Sequence, residues 1–501
     1  MSENKELFKV EKSETVGRYA VASEDLKPGD VIFSETPFAY GPKSDSSCLC
    51  LGCHSPVDCA YLCSTCSWPV CGPECEQLKV HKENECQVFS NAKVKFQTVE
   101  DPTDVCLQYE CITPLRMLLE KERDPKRWEE EISIMEAHNE ERKSRPIWEF
   151  NQHNIVEYIR GPCKMDKYSE ELIHLICGIL EINAFEARTP SCYAIRCLFP
   201  KLAILSHNCV SNIHHAVDCN GDGELKDCVV TVRAAVDIPK GGELFSSYTF
   251  SLWPTLVRRE FLRESKFFDC TCPRCSSPTE LDTHMSSLKC QRCDNGVIIS
   301  TNTADDACEW KCTHCDYKTN GRAVRKVFAA IQNEIDQVEY IGGPQGIQQR
   351  ETIFRKYRSV LHPNNSYMTT LRSALIQLYG KTEGYTLEDL PDVILERKIE
   401  LCLQLMEVLD IIEPGLSRIR GITLYELHGP IMIHARHQYQ YGAINKEDFK
   451  AKLQESIDTL GKAVEILKNE PISQPEGQLG QMALSAHEQL KENFDVLVDT
   501  A

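Results

Sequence analysis

Apolar positions recur along this chain with two different periods, and the changes of period mark its parts. Residues 7–40 alternate apolar and polar like paired strands, with a Lys27-Pro28-Gly29-Asp30 turn between them. A second alternating passage runs from Asp227 to Asp237 and is closed by an Ile-Pro-Lys-Gly-Gly turn. Phe245-Ser-Ser-Tyr248 follows and reads as a strand ending on the tyrosine. Between these β-like parts, residues 100–188 switch to apolar spacings of three and four. Helices are expected just after Pro114, from Trp128 to Arg142, and from Glu170 to Phe185, with His138 in the second of the three. From Gly321 onward the pattern predicts only helices, for example over 323–340, 367–379, 390–411, 424–441 and 446–469, with a last one from Gln478 into Val496. Antiparallel helical pairs of this kind stack into solenoid-like domains with a concave face. No clean repeat of about 34 residues is visible, so the term tetratricopeptide-like applies only loosely.

With 501 residues the chain is too long for one core and is expected to form three or four domains. Its 42% hydrophobic and 26% charged residues are ordinary for a globular protein in water. No window approaches about 18 uncharged apolar residues, which argues against a membrane-spanning helix. The stretch Met-Ser-Glu-Asn-Lys-Glu-Leu-Phe-Lys lacks the apolar centre of a secretion signal, so the expected location is cytoplasmic, nuclear or both. The net charge of −19 argues against direct nucleic-acid binding through phosphates. That acidity is spread along the chain: residues 321–501 hold 20 basic and 25 acidic side chains. It suits a basic partner such as a lysine-rich tail, and it equally suits a plain solvated surface.

The 27 cysteines add most to the picture, because many stand as Cys-x2-Cys pairs without a secretion signal; reduced thiolates on zinc account for that better than disulfides. Residues 48–86 carry Cys50-x2-Cys53, Cys63-x2-Cys66, Cys71-x3-Cys75 and His81-x4-Cys86. Eight soft ligands in so short a stretch can fill two tetrahedral sites, which a fold this small needs in place of a core. Cys48 and Cys59 are left over. Further on, Cys290-x2-Cys293 and Cys312-x2-Cys315 are two knuckles with strand-like sequence between them, the pattern of a structural four-cysteine ribbon, with Cys308 spare. In the centre, Leu205-Ser-His-Asn-Cys-Val-Ser-Asn212 is followed past Tyr248 by Cys270-x-Cys272-x2-Cys275. Cys209 with those three makes a further closed set of four thiolates, which would order whatever pocket lies between the His207–Asn212 run and Tyr248. A tyrosine hydroxyl in a dry pocket can orient an amine or help handle its proton, although a lone strand tyrosine is more often a packed aromatic. Val16-Gly17-Arg18-Tyr19 lets backbone approach a ligand and offers a charge to a carboxylate, or is simply a turn.

The order of these parts resembles the SET-and-MYND methyltransferase family over nearly the whole chain. Stretches such as Gly17-Arg-Tyr-Ala-Val-Ala, Ile412-Glu-Pro-Gly-Leu-Ser-Arg-Ile-Arg-Gly and Leu424-Tyr-Glu-Leu-His look like its divergent arthropod class. The resemblance implies an α+β multidomain protein: a β-rich SET core split by a MYND zinc finger and a helical insertion, then a post-SET zinc site, a zinc ribbon and an all-α tetratricopeptide-like C-terminal domain. Expected bounds are 1–47 and 189–264 for the SET parts, 48–86 for the finger, 87–188 for the insertion, 265–320 for the post-SET site and ribbon, and 321–501 for the helical domain. It implies cross-braced zinc binding, with Cys50, Cys53, Cys71 and Cys75 on one ion and Cys63, Cys66, His81 and Cys86 on another. Cys209, Cys270, Cys272 and Cys275 would hold the post-SET zinc. Gly17, Arg18, His138, Asn183, Ser206, His207, Tyr248 and Phe268 would contact S-adenosylmethionine, with Tyr248 the catalytic tyrosine.

The implied activity is methylation of an exposed lysine on a protein, possible substrates including histones, by a monomer. The other reading is a non-catalytic adaptor whose MYND finger recruits a corepressor or a proline-rich peptide. A DNA-binding finger protein ranks below both, since basic residues are not gathered around the fingers. The chain departs from the family at several points. The finger ends His-x4-Cys instead of His-x3-Cys and lacks the tryptophan usual before that histidine. Ser206 replaces a cofactor-facing asparagine, whose amide can both accept from an ammonium and donate; a serine is shorter and reaches less far. Tyr19 replaces a glycine and is expected to crowd the cofactor. Lys266 puts a charge where a lysine channel wants an aromatic wall, and Phe250 replaces an acidic residue.

Overall fold

The computed structural model describes residues 6–14, 16–219 and 228–500. Asp227, where the second alternating passage is expected to start, and the first five residues lie outside the described residues. The β-rich part contains β1 (Phe8–Ser13), β2 (Gly17–Ala22), β3 (Val31–Glu35), β4 (Ala39–Pro42), β5 (Phe185–Arg188), β6 (Ala194–Leu198), β7 (Ser206–His207), β8 (Ile213–Cys219), β9 (Cys228–Ala234) and β10 (Phe245–Ser246). β1 and β2 form an antiparallel pair with Glu11 opposite Tyr19. The Lys27–Asp30 turn leads from β2 into β3 but joins strands of different sheets, unlike the hairpin the alternation suggests. β3 pairs with β9 and β9 with β8, while β4 pairs with β6 and β6 with β5. The reason is burial. Ile32 and Phe33 of β3 share one core with Val230, Val232 and Ala234 of β9, together with Ala20, Cys197, Phe199, Leu205 and Leu244. An apolar face left over by β1–β2 pairing is removed from water only by strands made much later in the chain.

Most apolar side chains between β4 and β5 pack as a second body, in which Phe38 and Leu198 of the strand region meet Trp68 and Phe89 of the finger and Tyr109, Leu115, Ile173 and Ile179 of the helices, while Leu78 and Val80 join the strand core. One buried arginine ties these parts. Arg116 donates to both carboxylate oxygens of Glu85 (2.8 and 2.7 Å) and to the carbonyls of Tyr40 (3.0 Å) and Leu51 (2.9 Å). Its remaining N–H meets His54 Nε2 at 3.0 Å. Burial, then the neighbouring guanidinium, pushes His54 down to about 3, so the imidazole is neutral and accepts. Burial alone would raise the Glu85 carboxyl, but Arg116 and His81 hold it at about 2.

Two helical expectations are corrected. The Ile112–Arg123 helix carries Pro114 in its first turn, where the missing N–H costs nothing, and Ser169 caps the Glu170–Asn183 helix by accepting from Leu172 N–H. That helix stops at Asn183 because Phe185 already belongs to β5, facing Cys197 of β6. The span from Trp128 to Arg142 is not one helix. A π-helical turn covers Trp128–Ile132, a four-residue helix covers Asn139–Arg142, and between them His138 is left-handed with φ 50°. The carbonyls that would continue a helix there are taken from outside, Ile134 O by Arg18 (3.4 Å) and Glu136 O by Asn183 (2.8 Å).

Strands β11 (Leu288–Lys289), β12 (Val297–Ser300), β13 (Glu309–Cys312) and β14 (Lys318–Asn320) form an antiparallel meander carrying the two later cysteine pairs. Gly296 is obligatory in it, since a Cβ there would lie 2.1 Å from Cys312 Sγ. Beyond it run helices Gly321–Asp336, Gly343–Tyr357, Ser366–Leu378, Asp392–Ile412, Arg418–Gln440, Lys446–Leu467, Pro475–Glu492 and Phe494–Thr500. The expectation of helices alone fails at one place, a hairpin of β15 (Lys381–Thr382) and β16 (Tyr385–Thr386). Gly380 and Gly384, both at positive φ, end the preceding helix and turn the chain there. Among the described residues no helix is long and apolar enough to cross a membrane. One cysteine pair departs from the expectation of reduced thiols: Cys219 and Cys228, opposed at the ends of β8 and β9, form a disulfide.

The helical region is clasped to the strands. Leu416 N–H donates to Ala235 O (3.0 Å), and Gly415, at φ 71°, comes so close that a Cβ would lie 1.9 Å from that oxygen. Farther on, Glu470 takes His214 of β8 at 3.2 Å and Arg418 at 2.8 Å. Ser473 donates to Asp218, and Arg188 pairs with Glu476. Burial opposes the Glu470 charge, yet His214 and Arg418 hold its carboxyl at about 2. Glu470→Ala strands the buried His214 and is expected to cost about 3 kcal/mol of stability, read by urea unfolding. Because its pKa is depressed on folding, the carboxylate's contribution is complete above the unfolded value of 4.5 and is lost as pH falls toward about 2. The Glu470→Ala protein should therefore show a flatter acid-unfolding limb, and an unchanged limb would remove Glu470 from the clasp.

Candidate functional site

Four sets of thiol and imidazole groups converge, each with all ligand atoms within 4.8 Å of one another: Cys50, Cys53, Cys71 and Cys75; Cys63, Cys66, His81 and Cys86; Cys209, Cys270, Cys272 and Cys275; and Cys290, Cys293, Cys312 and Cys315. Cys48, Cys59 and Cys308 belong to none of them. Observed separations include Cys53–Cys71 at 3.5 Å, Cys63–Cys86 at 3.8 Å, Cys209–Cys275 at 3.4 Å and Cys293–Cys312 at 3.7 Å. Ligands at about 2.3 Å from a tetrahedral zinc stand about 3.8 Å apart, so the donor sets fit zinc. His81 is oriented for it: Nδ1 faces Glu85 at 2.8 Å, which leaves Nε2, 3.6 Å from Cys66 Sγ, as the ligand atom.

The Cys209 set is the one that reaches the candidate catalytic residues. Arg258, fully buried, donates from Nε to Cys209 Sγ (3.3 Å) and from Nη2 to Cys275 Sγ (3.6 Å), and its Nη1 pairs with Glu280 (2.9 Å). Arg274 adds a second guanidinium to Glu280 at 3.0 Å, and together the two arginines hold that carboxyl at about 2 against its burial. On the other side lies His207. Its Nδ1 accepts from the Tyr248 backbone N–H at 3.0 Å, so Nε2 carries the proton and points at Cys209 Sγ, 3.3 Å away. One imidazole therefore spans from a metal-site thiolate to the backbone of Tyr248.

Tyr248 lies two residues beyond β10 and not within a strand, because its N–H is given to His207 and not to a ladder partner. β7 and β10 run parallel, Ser206 opposite Phe245 and His207 opposite Ser246. The Asn212 side chain locks this crossing by accepting from Phe245 N–H (2.7 Å) and donating to Glu243 O (2.8 Å). The Tyr248 ring stands 5.0 Å from His207, which is 5.8 Å from Phe268, and its hydroxyl donates to Leu205 O at 2.5 Å. Burial pushes the phenol up to about 12, which keeps it protonated at neutral pH.

Arg18, Asn183 and His138 meet around the backbone of residues 134–138. Asn183 donates to Glu136 O and Ile179 O, next to His138, whose ring stacks on Phe267 at 4.8 Å. Arg18 reaches Ile134 O from β2, and Gly17 beside it, at φ 72°, has open space where a Cβ would be. Burial lowers the Arg18 pKa, and no carboxylate pairs with it among the described residues. An uncompensated guanidinium beside an open glycine fits the carboxylate end of S-adenosylmethionine. Tyr19 lies on the opposite face of β2 from Arg18. Strand alternation turns it away from Arg18, and its hydroxyl donates to Glu11 at 3.0 Å across β1–β2. Sequence reasoning missed Phe267, the Ile134 and Glu136 carbonyls, and the arginines behind Cys209. Backbone acceptors leave no trace in sequence, whereas Arg258-Arg259 inside an otherwise amphipathic helix was a usable sign.

No family model matches the chain. It is similar to the SET domain-containing protein SmydA-8, isoform A, of Drosophila melanogaster, with 32% identity over 61% of this chain and 64% of that one. It is also similar to the histone-lysine N-methyltransferase ASHR1 of Arabidopsis thaliana (27%, covering 56% and 57%) and the N-lysine methyltransferase SMYD2 of Homo sapiens (24%, covering 52% and 58%). The chain thus spans less than two thirds of the length of these relatives. A solved structure of the SET domain of LSMT bound to lysine and AdoHcy aligns over 98% of this chain and 89% of its own, at 13% identity and a TM-score of 0.26, a likeness too slight to bear on the fold. Metal analysis of purified protein should find four zinc ions per chain. Arg258→Leu should weaken zinc retention at one of them by roughly 10- to 100-fold in a chelator competition. Full retention would mean that the thiolates need no guanidinium behind them.

Proposed function

We propose that this chain, related in sequence to the SET-and-MYND proteins, most clearly the arthropod ones, is an S-adenosylmethionine-dependent protein-lysine methyltransferase. Its strands would be a SET core divided by a MYND finger and a helical insertion, with Cys209, Cys270, Cys272 and Cys275 the post-SET zinc site. The observation that carries this reading is the chain of contacts from Cys209 through His207 to Tyr248, which fixes the tyrosine to a closed metal site.

Lysine methylation is a displacement in which a neutral amine attacks a methyl group, so the enzyme must align two ligands, exclude water and favour the deprotonated amine. When bound, S-adenosylmethionine supplies the electrophilic methyl on its sulfonium. Arg18 would hold the carboxylate, and Gly17, His138, Asn183, Ser206, His207 and Phe268 would line the cofactor's place. Tyr248, protonated and backed by Leu205 O, orients an amine with its hydroxyl oxygen and aromatic face. All four zinc sets are complete without an open position, so zinc would act here as scaffold. The acceptor would be a lysine exposed on a protein, histones among the candidates.

Two observations favour the adaptor reading. Ser206 is shorter than the family's asparagine and reaches less far toward a cofactor, and the Lys266 ammonium lies over the Tyr248 ring. In that reading the finger recruits corepressors or proline-rich peptides and the SET core is a scaffold. Calorimetric titration of zinc-loaded protein with S-adenosylmethionine should show stoichiometric binding, and Ser206→Asn should tighten it roughly fivefold, the worth of one hydrogen bond. Tyr248→Phe should leave that binding in place while cutting methyl transfer by roughly 100-fold or more. Binding seen only in Ser206→Asn would instead decide for the adaptor.

A further inference from the structure

Lys266 occupies a place where a lone cation is costly. It follows the Thr255–Ser265 helix and directly precedes Phe267 and Phe268. Its Nζ donates to Ile182 O at 2.6 Å, lies 3.5 Å from Glu181 O, and stands 5.9 Å from the centre of the Tyr248 ring. No carboxylate neutralises it among the described residues: the nearby Glu181 is already taken by Arg142 (2.8 and 2.6 Å) and Asn151 (2.7 Å). Burial alone lowers its pKa to about 8. Carbonyl oxygens around a nitrogen, an aromatic face beside it and partial removal from water are what a site for a substrate amine must provide. Here a side chain of the protein already has them.

We propose that Lys266 occupies the acceptor-amine seat beside Tyr248, so that a substrate lysine enters it only by displacing Lys266, against its bulk and its charge. This rests on the reading of Tyr248 as the mark of the acceptor site. The competing account is that Lys266 only caps the last carbonyls of the Glu170–Asn183 helix, as a cation at a helix C-terminus does. A cap of that kind is satisfied equally well in solvent and has no need of the tyrosine face, so the two accounts differ in what removal of the charge does to amine binding.

The test uses the full-length, zinc-loaded protein and Nα-acetyl-lysine methylamide as probe, titrated by calorimetry or NMR with S-adenosylhomocysteine present and absent. Lys266→Met and Lys266→Gln should bind the probe at least about tenfold more tightly than the wild type, while Lys266→Arg, which keeps the charge, should not. Glutamine can still donate to Ile182 O, so it carries the test if the methionine variant loses its fold. Equal affinity in all four proteins, including no binding by any of them, overturns the proposal, as does a gain shared by the arginine variant. If neither neutral variant folds, Lys266 is a structural cap and the proposal falls. Binding of S-adenosylmethionine, followed in the same samples, reports on the enzyme reading separately. Its absence beside a clear gain in probe binding would overturn the enzyme and keep the occupied seat.

Discussion

The geometry of the candidate site depends on one buried thiolate, that of Cys209. It belongs to a set of four cysteines drawn from two distant stretches, and it is approached by Arg258 from one side and His207 from the other. A zinc held by four thiolates keeps two negative charges, which the interior of a protein does not tolerate without compensation. Arg258 and Arg274 bring two positive charges, of which Glu280 takes up one while it clamps both guanidiniums in place. What emerges is a rigid electrostatic unit, and the His207 ring, aimed at its thiolate, transmits that rigidity to Tyr248. Remove the thiolate and the His207 ring that takes the tyrosine's backbone N–H loses one of its two anchors.

The finger uses the same device in another form. There a histidine ligand replaces one thiolate, and its second nitrogen rests on Glu85, which Arg116 balances while also gripping the carbonyls of Tyr40 and Leu51. In the finger a buried arginine is the joint between the cysteine set and the strands, and at the Cys209 set His207 of β7 makes that joint. The cysteine sets are thus part of the core in the same sense as Phe33 or Val232: both finger sets belong to the body around Trp68, and the Cys209 set forms a small body of its own with Leu262.

What the sequence disclosed follows the range of the interactions concerned. Ligand pairs two or three residues apart obey local geometry, so all four cysteine sets and the spare Cys48, Cys59 and Cys308 were legible from spacing and family pattern. The helical character of the C-terminal part was legible for a similar reason. Strand alternation shows that a face is buried but not which strand buries it, and so the β3–β9 and β4–β6 pairings were hidden behind an apparent hairpin. The left-handed His138 was invisible because its cause is distant: Arg18 and Asn183 take the carbonyls on which a helix would have relied. Lys266 was visible as a misplaced charge, but its two carbonyl partners were not. Tyr19 shows the reverse case, a bulky residue that strand alternation turns toward Glu11 and away from Arg18.

The split sheet has a consequence for how the protein is made. β3 and β4 leave the ribosome long before β9 and β6 exist, with Ile32, Phe33 and Phe38 waiting for cover. During that interval the finger and its helices are completed, and the finger folds only as fast as metal reaches its thiols. Each nascent chain therefore carries an exposed apolar edge for a time partly set by the free zinc of the compartment. Scarcity of that ion would act first on the yield of folded molecules and only later on the properties of those already formed.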